Sequence, residues 1–378
     1  MITIKQKLFR TKRTKHLEAL RRKACFVYNH FLNFIKTYYR IFKKHIQYNK
    51  LQNYIPTIRN RRFSWWKQLG SQCVQDILRR IYAGYDLFFS ERKRGNKKIG
   101  IPKFKKLRKY KSITYTQAGW SFDGDHTVTV QGKHFKFYRS REIKNVKRIS
   151  LKVDAVGDWW ICFCCDINDE LPTKVMTGET AGFDFGLKTF LTSNENKQYQ
   201  SPLFYAKNHK QTKKLQRLLS KKQKGSNNRH KARKNLARHH RRIENKRREH
   251  HTKLALSLVR QYDILCFEDL NINAMKMLWG KKVSDLSFYS FMLTLQNMAK
   301  KHGKKVEKID RFYPSSKTCH NCGEIKEDLH LEDRMWNCNG CKMTHDRDHN
   351  AAINIHQVGT STCGVDKVRP TLAVGTCS

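Results

Sequence analysis

Two Cys-x-x-Cys pairs constrain the fold of this chain more than any other feature of its sequence. Cys319, Cys322, Cys338 and Cys341 follow the pattern C-x2-C-x15-C-x2-C, which is typical of a zinc site with four cysteine ligands. Free cysteines are the alternative, but they would not fall into two such pairs by chance. Because four thiolates close the coordination sphere, we expect one structural Zn²⁺ rather than a catalytic metal here.

Three acidic residues occur where buried segments end or begin. Asp184 lies in the apolar run GFDFG, Glu268 ends the apolar run ILCFE, and Asp348 opens the segment DHNAAINI. A carboxylate on a mostly buried strand is costly unless it is paired or binds a cation. A capping or turn acid is the alternative for each residue alone. Together, two strands and a helix could present three hard oxygen ligands to two Mg²⁺ ions, as phosphodiester cleavage requires.

The segment DRDHNAAINI predicts a helix that separates its two aspartates. Asp348 shares one helical face with Ala352 and Ile355, and Ala351 borders that face. The small alanines would allow the helix to lie close to a sheet and bring Asp348 to it. Asp346 points roughly 200° away around the helix, so we expect it to be a helix cap or a local structural acid instead.

The charge balance indicates nucleic acid as the partner. The 378 residues include 78 Lys and Arg but only 31 Asp and Glu, a formal net charge of +47. Lys and Arg that neutralise phosphates release counterions, so nucleic acid explains this excess best. An anionic membrane surface is the alternative, but no apolar stretch reaches the roughly 20 residues of a spanning helix. With twelve cysteines in so long a chain, we expect a reducing, cytoplasmic setting and no membrane partner.

Hydrophobic periodicity organises the first part of the chain. The run MITIKQKLF alternates apolar and polar residues and predicts a strand. A helical period then recurs twice, at Leu20, Ala24, Val27, Phe31 and Ile35 and at Val74, Ile77, Leu78, Ile81, Tyr85 and Phe88 or Phe89. From residue 112 onward, short strand-like runs separated by Gly, Asp and Asn predict a small β-barrel or sandwich. The first strand could join that sheet, with the helices inserted between.

A strongly basic stretch covers residues 207–251, with 18 Lys or Arg and two Glu. Its sparse apolar positions predict two helices joined by a turn at GSNN. A charge run is usually a solvated face. Because this run leads directly into the apolar strand DILCFED, it must be held beside a sheet, which favours a helical pair that faces phosphates.

The chain resembles the TnpB proteins of bacterial transposons, which are relatives of type V CRISPR effector nucleases. Four segments carry the resemblance in the family's order: GFDFGLKTF, FEDLNI, YPSSKTCHNCG and DRMWNCNGCKMTHDRDHNAAINI. The resemblance covers residues 180–356 and extends weakly to the front through VYNHFLN, SQCVQDILRRIYAGYDLFF and GIPKFKKLRKY.

The resemblance implies an α/β multidomain protein. Its nuclease domain would be RuvC-like with an RNase H-like fold and an inserted zinc ribbon with four cysteine ligands, and a β-barrel wedge domain would carry an inserted helical recognition domain. Residues 359–378 lack a periodic apolar pattern, so we expect a disordered tail there. The expected boundaries are 1–12 and 105–177 for the wedge, 13–104 for the helical domain, 178–314 and 345–358 for the nuclease domain, and 315–344 for the ribbon.

The implied activity is RNA-guided cleavage of double-stranded DNA next to a short target-adjacent motif. Asp184, Glu268 and Asp348 would be the catalytic acids that hold the two Mg²⁺ ions, with Arg347 and Asn350 in support. The implied partners are a transposon-encoded guide RNA and the target DNA, with one protein monomer per RNA. Base pairing would read the target sequence, while the protein reads the adjacent motif.

The resemblance also indicates where nucleic acid would contact the chain. The motif would be read around Gln72, Gln75 and the strand residues Ser112 to Thr116. The full set of expected contacts is Gln72, Gln75, Arg79, Lys103, Lys105, Arg229, Lys231, Arg233, Arg241 and Arg347.

Two other functions remain open at the level of sequence. A zinc-ribbon regulator would bind nucleic acid without cleaving it and would use its acids structurally. A DNA-joining transposase would need a nucleophilic tyrosine, and the chain contains 15 tyrosines. All three acids are intact, which favours the nuclease over relatives that have lost them.

Overall fold

The computed structural model describes residues 1–166, 176–330 and 332–362. The chain divides into two compact units, Met1–Asp169 and Glu170–Ser378. The three acids and the four paired cysteines all belong to the second unit. Within the described residues, no helix is both long enough and apolar enough to cross a bilayer.

An antiparallel sheet and three long helices make up the described part of the first unit. In chain order the elements are β1 (Ile2–Leu8), α1 (Thr14–Phe42), α2 (Tyr48–Arg61), α3 (Ser71–Lys93), β2 (Ser112–Tyr115), β3 (Trp120–Phe122), β4 (Thr127–Val130), β5 (Lys133–Tyr138), β6 (Val146–Val153) and β7 (Trp159–Cys165). The strand order is β2-β6-β7-β1-β5-β4-β3. Because β1 pairs with β5 and β7, the expectation that the first strand joins this sheet is confirmed.

One hydrophobic core holds these helices and strands together. The helical positions predicted from periodicity, from Leu20 to Ile35 and from Val74 to Tyr85, are all buried, but at the end of the second set Phe88 is half-buried and Phe89 is exposed. They pack in the same core as Ile113 and Phe163 of the sheet. Each fully buried large apolar side chain contributes about 1.5–3 kcal/mol, so the inserted helices and the sheet stabilise each other. The sheet order ends at β2 and β3, and closure into a barrel stays a prediction.

The described part of the second unit is built around a mixed five-stranded sheet. Its elements are β8 (Thr180–Asp184), β9 (Leu191–Ser193), β10 (Gln198–Tyr199), α4 (Phe204–Lys207), α5 (His209–Ser220), α6 (Asn227–Gln261), β11 (Ile264–Glu268), α7 (Ile272–Leu286), α8 (Phe288–Lys301), β12 (Lys305–Ile309), β13 (Met335–Asn337), β14 (Thr344–Asp346) and α9 (Arg347–Thr362). The sheet order is β10-β9-β8-β11-β12. Strands β8, β11 and β12 are parallel, whereas β13 and β14 form a separate hairpin.

The basic stretch forms the two helices that its sequence predicted, α5 and α6, with the turn between them. Helix α6 is exposed and basic over most of its length. Its last turns bury Leu254, Ala255, Leu258 and Val259 in the core of the second unit. This apolar end fixes a long cationic helix beside the sheet, as expected.

Helix α9 packs unusually close to the sheet. Ala351, Ala352 and Ile355 are fully buried, which confirms the predicted apolar face. A Cβ atom at Gly182 of β8 would lie only 2.4 Å from the backbone nitrogen of His356. Only a glycine at position 182 permits so close an approach. The close packing places the start of α9 at the edge of the sheet.

The expectation of disorder from residue 359 is wrong for residues 359–362, which continue α9 to Thr362. Gly359 is buried against Cys266, where a Cβ would lie 2.4 Å from the sulfur. This packing extends the helix beyond the point where its apolar pattern fades. Residues 363–378 lie outside the described part of the chain.

Candidate functional site

Two of the three predicted acids leave adjacent parallel strands at the same edge. Phe183 of β8 pairs with Phe267 of β11, so the following residues, Asp184 and Glu268, end their strands side by side. The two phenylalanine rings stack in the core with centroids 5.1 Å apart. The carboxyl ends of parallel strands therefore bring both acids out of the core together.

The third acid, Asp348, lies in the first turn of α9 and completes this group. Its neighbour Asp346 accepts a hydrogen bond from the backbone N–H of His349 at 2.9 Å. That geometry is an N-terminal helix cap, so the cap predicted for Asp346 is confirmed. The cap fixes the start of α9 and leaves Asp348 on the side that faces the sheet.

The three carboxylates are electrostatically coupled. Burial, together with the charges of Asp348 and Glu268, raises the pKa of Asp184 to about 7. The charge of Arg347 and a hydrogen bond from the Phe185 backbone oppose this shift. Like charges held together in a partly desolvated place disfavour ionisation. A divalent cation would relieve that repulsion.

Arg334 is a member of this site that the sequence reasoning missed. Its Nη1 donates hydrogen bonds of 2.8 Å to both carboxylate oxygens of Asp348. The β13–β14 hairpin creates the contact: Met335 pairs with Asp346, and the backbone N–H of Arg347 donates to the Arg334 carbonyl at 2.8 Å. Arg334 and Asp348 are 14 positions apart in the chain, so sequence periodicity does not reveal this contact.

Arg347 and Asn350, expected to support Asp348, take different positions. Arg347 donates to the His330 carbonyl at 3.1 Å while its charge acts on Asp184. Asn350 is buried and donates to the Thr318 carbonyl at 2.7 Å. Arg347 therefore lies beside the acids, whereas Asn350 fastens the start of the cysteine segment to α9.

Asp263, at the opposite end of β11 from Glu268, has the reverse electrostatic environment. Burial alone would raise its pKa, but hydrogen bonds from Lys304, Thr177 and Gly178 outweigh burial and lower it to about 2. At Glu268, burial and the neighbouring Asp269 raise the pKa instead. Asp184 and Glu268, at the carboxyl ends of their strands, therefore lack the compensation that Asp263 has, which is typical of functional carboxylates.

The four paired cysteines converge on one point. Their sulfur atoms all lie within 4.8 Å of one another, with Cys319 and Cys341 3.6 Å apart and Cys322 and Cys338 3.5 Å apart. A tetrahedral zinc ion with Zn–S bonds of about 2.3 Å needs sulfurs about 3.8 Å apart. The donor set therefore fits a structural zinc ion. Within residues 1–166, 176–330 and 332–362, it is the one group of three or more His, Cys, Asp and Glu side chains whose ligand atoms already converge in this way, and Asp184, Glu268 and Asp348 are not drawn together to the same degree.

The environment favours a thiolate at Cys341, whereas burial raises the pKa of the Cys319 thiol to about 12. The Met343 backbone N–H and the Asn321 side chain lower the pKa of Cys341 to about 6. A buried imidazole, His345, lies with its Nε2 3.1 Å from the Cys319 sulfur. Trp336 packs in the same small core as Cys319 and Cys338. The segment thus has its own core and its own ligand set.

The residues expected to read a target-adjacent motif meet in the first unit. The Thr116 hydroxyl donates a hydrogen bond to the Gln72 side chain of α3, and Arg80 donates to the Ser112 hydroxyl at 3.2 Å. Gln75 is half-buried on the same helix. The structure therefore brings α3 and β2 side by side, while the contacts with nucleic acid stay a prediction.

The other expected contacts differ in their exposure to solvent. Arg79, Lys103, Lys231 and Arg233 are exposed, whereas Lys105 and Arg241 are half-buried. The Lys105 ammonium lies 4.3 Å from the centroid of the Tyr28 ring. Arg229 donates 2.8 Å hydrogen bonds to the carbonyls of Leu219 and Lys222, so it closes the turn between α5 and α6. Its contact with nucleic acid also stays a prediction.

Helix α5 presents a cationic groove that the expected contacts did not include. Its volume is about 440 Å³, and its lining is Lys210, Lys213, Lys214, Arg217, Leu218 and Lys221. Five like charges on one helix repel each other unless anions lie between them. A phosphate backbone would supply those anions, in keeping with the helical pair predicted from the basic stretch.

Comparisons with known proteins identify the family. The family described as "Probable transposase" matches residues 162–278, and the one described as "Cas12f1-like, TNB domain" matches residues 288–355. A protein of Streptomyces pristinaespiralis that bears the provisional name RNA-guided DNA endonuclease is 30% identical over 312 residues, 80% of this chain and 75% of the relative. TnpB-like protein L79 of Acanthamoeba polyphaga mimivirus is 34% identical over 229 residues, 56% of this chain and 43% of the relative. The chain belongs to the TnpB family.

Further relatives of this TnpB-family chain cover nearly its whole length. InsQ of Escherichia coli, with the same provisional name, is 25% identical over 90% of this chain and 88% of the relative. A Cas12f1 chain solved in complex with its single guide RNA and target DNA superposes with a TM-score of 0.56 at 17% identity. The match covers 92% of this chain and 83% of the Cas12f1 chain. At that identity the match shows a shared α/β fold.

Proposed function

We propose that this TnpB-family protein is an RNA-guided endonuclease that cleaves double-stranded DNA beside a short target-adjacent motif. The observation that carries the proposal is the acid cluster of Asp184, Glu268 and Asp348, in which burial and mutual repulsion raise the pKa of Asp184 to about 7. If the three acids had a structural role, we would expect hydrogen bonds to stabilise their charges, as they do at Asp263. The names of the relatives support a DNA endonuclease.

We further propose that the second unit comprises a RuvC-like nuclease domain of RNase H-like fold with an inserted zinc ribbon. The first unit would comprise the wedge and helical recognition domains, with the boundaries predicted from sequence. The mixed order β10-β9-β8-β11-β12 and the four-cysteine cluster support this assignment. One protein monomer would act with one guide RNA.

The acids would hold two divalent cations, and Mg²⁺ suits their hard oxygen atoms. When bound, such a pair activates a water and stabilises the leaving oxygen. Asp184 has to lose its proton first, which the charge of Arg347 favours. Asp348 has to give up its contact with Arg334 in order to bind a cation. The released guanidinium could then bind two oxygens of a phosphate in a bidentate manner.

Cleavage with matched variants tests the proposal. The protein is co-expressed with the RNA of its own locus, the bound RNA is sequenced, and a plasmid carrying the matching target is incubated with Mg²⁺. We expect Asp184→Ala to abolish cleavage, because the acid cluster would lose one of its three carboxylates. Glu332→Gln, at an exposed acid of the same unit, should cut like the wild type.

Three outcomes would contradict the proposal. If Asp184→Ala cleaved DNA at the wild-type rate, the assignment of the three acids as the active site would be wrong. Salt-sensitive binding without any Mg²⁺-dependent cut would indicate a regulator. A covalent protein–DNA adduct would indicate a DNA-joining transposase, which the "Probable transposase" description of residues 162–278 keeps as the second candidate.

A further inference from the structure

A pocket in the first unit lies at the end of β1, far in sequence from the acids. It has a volume of about 360 Å³ and is lined by Phe9, Thr11, Arg13, His134 and Lys136. We name it the Phe9 pocket. Small-molecule sites occupy about 300–1,000 Å³, so the pocket suits a ligand of the size of one nucleotide.

An exposed aromatic pair forms one wall of the Phe9 pocket. The rings of Phe9 and Tyr138 stack with centroids 4.0 Å apart and an angle of 28°. They are 37% and 54% exposed. Tyr138 covers one face of the Phe9 ring, while Phe9 also lines the pocket. An exposed ring held flat in this way is a platform on which a nucleobase can stack.

Backbone pairing fixes the aromatic and cationic groups relative to each other. Phe9 donates its backbone N–H to the Lys136 carbonyl at 2.9 Å, which continues the pairing of β1 with β5. Arg13 donates from Nη1 to the His134 carbonyl at 3.2 Å. The His134 ring shares a 2.7 Å hydrogen bond with the Thr129 hydroxyl. Because these groups are ordered beforehand, binding a ligand costs less conformational entropy.

The charge around the Phe9 pocket selects an anion. Arg13 and Lys136 line it, and none of its lining residues is acidic. The first 17 residues of the sequence contain six Lys or Arg and no Asp or Glu. A flat aromatic wall beside two cations matches the two parts of a nucleotide, the base and the phosphate.

We propose that the Phe9 pocket binds one unpaired nucleotide of a single-stranded nucleic acid. The base stacks on Phe9, and the phosphate lies between Arg13 and Lys136. The inference rests on the proposed function only in taking nucleic acid as the partner, and it concerns binding rather than cleavage. Asp184→Ala should therefore leave this binding unchanged, so the two proposals fail separately.

Fluorescence anisotropy with the full chain tests the pocket. The probes are a labelled oligouridine RNA and an oligothymidine DNA of equal length, titrated over a series of salt concentrations. We expect Phe9→Leu to raise the Kd about fivefold to tenfold, because base stacking on a ring is lost. Phe9→Trp, which keeps a ring, should bind like the wild type. The probe that loses more affinity in Phe9→Leu identifies whether RNA or DNA occupies the pocket.

A charge variant provides a second measurement that does not depend on the aromatic wall. Lys136→Gln should weaken binding and reduce the slope of log Kd against log salt by about one. Lys147→Gln, at an exposed lysine of β6 in the same sheet, is the matched control and should change the Kd less. Binding of Phe9→Leu within twofold of the wild type for both probes would overturn the proposal. Equal losses in Lys136→Gln and Lys147→Gln would overturn it as well.

Discussion

The second unit contains two groups of side chains that could bind metal ions, the four paired cysteines and the three acids. The charges within the two groups are balanced in opposite ways. The four cysteine sulfurs converge within 4.8 Å, and a backbone N–H lowers the pKa of Cys341. At the acid group, Asp348 accepts hydrogen bonds from Arg334, and burial together with the charges of Asp348 and Glu268 raises the pKa of Asp184. The comparison teaches that the fold can assemble a group of thiols, whereas it holds a group of carboxylates under electrostatic strain.

The physical reason lies in the charge that each ligand carries. A thiol can lie beside another thiol with little repulsion, so the hairpins can bring four together. Three carboxylates repel each other, and partial burial increases the repulsion. A guanidinium such as Arg334 reduces this cost, but it then competes with any cation for Asp348.

The largest expected effect is on the cysteine side of the comparison. Cys338→Ser should lose the zinc ion and make residues 315–344 sensitive to protease, because structural zinc contributes about 10–16 kcal/mol to the folding of small zinc domains. Zinc content and limited proteolysis measure both changes. Cys162→Ser, in the first unit, is the control and should retain one zinc ion. If Cys338→Ser still bound zinc and resisted the protease, the four cysteines would not be the zinc site on which this segment depends.

On the acid side, removing a charge should stabilise the fold. The pKa of Asp184 rises from 3.8 to about 7 on folding, so the folded state binds this proton more tightly than the unfolded chain. Ionisation therefore costs stability as pH rises from about 4, and the full cost applies above about 7. In buffer without divalent cations, Asp184→Asn should raise the free energy of unfolding by about 1–3 kcal/mol at pH 8.

Denaturation measured at acid and alkaline pH checks the direction of this change in the free energy of unfolding. The advantage of Asp184→Asn over the wild type should shrink as the pH is lowered toward about 4, where Asp184 is protonated in the folded state. Glu332→Gln, at an exposed acid, should show no such trend. If Asp184→Asn were no more stable than the wild type at pH 8, the acid site would not be strained.

The smallest expected effect concerns competition at Asp348. Partly exposed ion pairs are worth about 1 kcal/mol or less, and the Arg334 and Asp348 side chains are 41% and 22% exposed. Arg334→Ala should therefore tighten Mn²⁺ binding by up to about fivefold, as measured by isothermal titration calorimetry without nucleic acid. Arg248→Ala, at an exposed arginine of α6, should leave it unchanged. Weaker Mn²⁺ binding by Arg334→Ala would show that Arg334 supports the cation instead.

Several elements could be predicted from sequence because a local pattern specified them. The helical period of the apolar residues predicted the buried faces of α1, α3 and α9. The alternation of apolar and polar residues predicted β1. Helix α2 was missed, since Pro56 lies inside it and proline normally interrupts helices. It forms because Leu51, Ile55 and Ile58 are buried in the core of the first unit. The last turn of α9 was missed because its stability comes from Gly359 packing on Cys266.

The sequence by itself determined the kinds of ligand and their order along the chain: soft sulfurs at a fixed spacing, and hard carboxylates at the ends of apolar segments. Spacing and periodicity are local, so they can be read without a fold. Only the tertiary structure decided that Arg334 faces Asp348, that Arg229 closes the turn between α5 and α6, and that Phe9, Arg13 and Lys136 share a pocket. Those contacts depend on strand register and helix packing, which join residues that no local pattern connects.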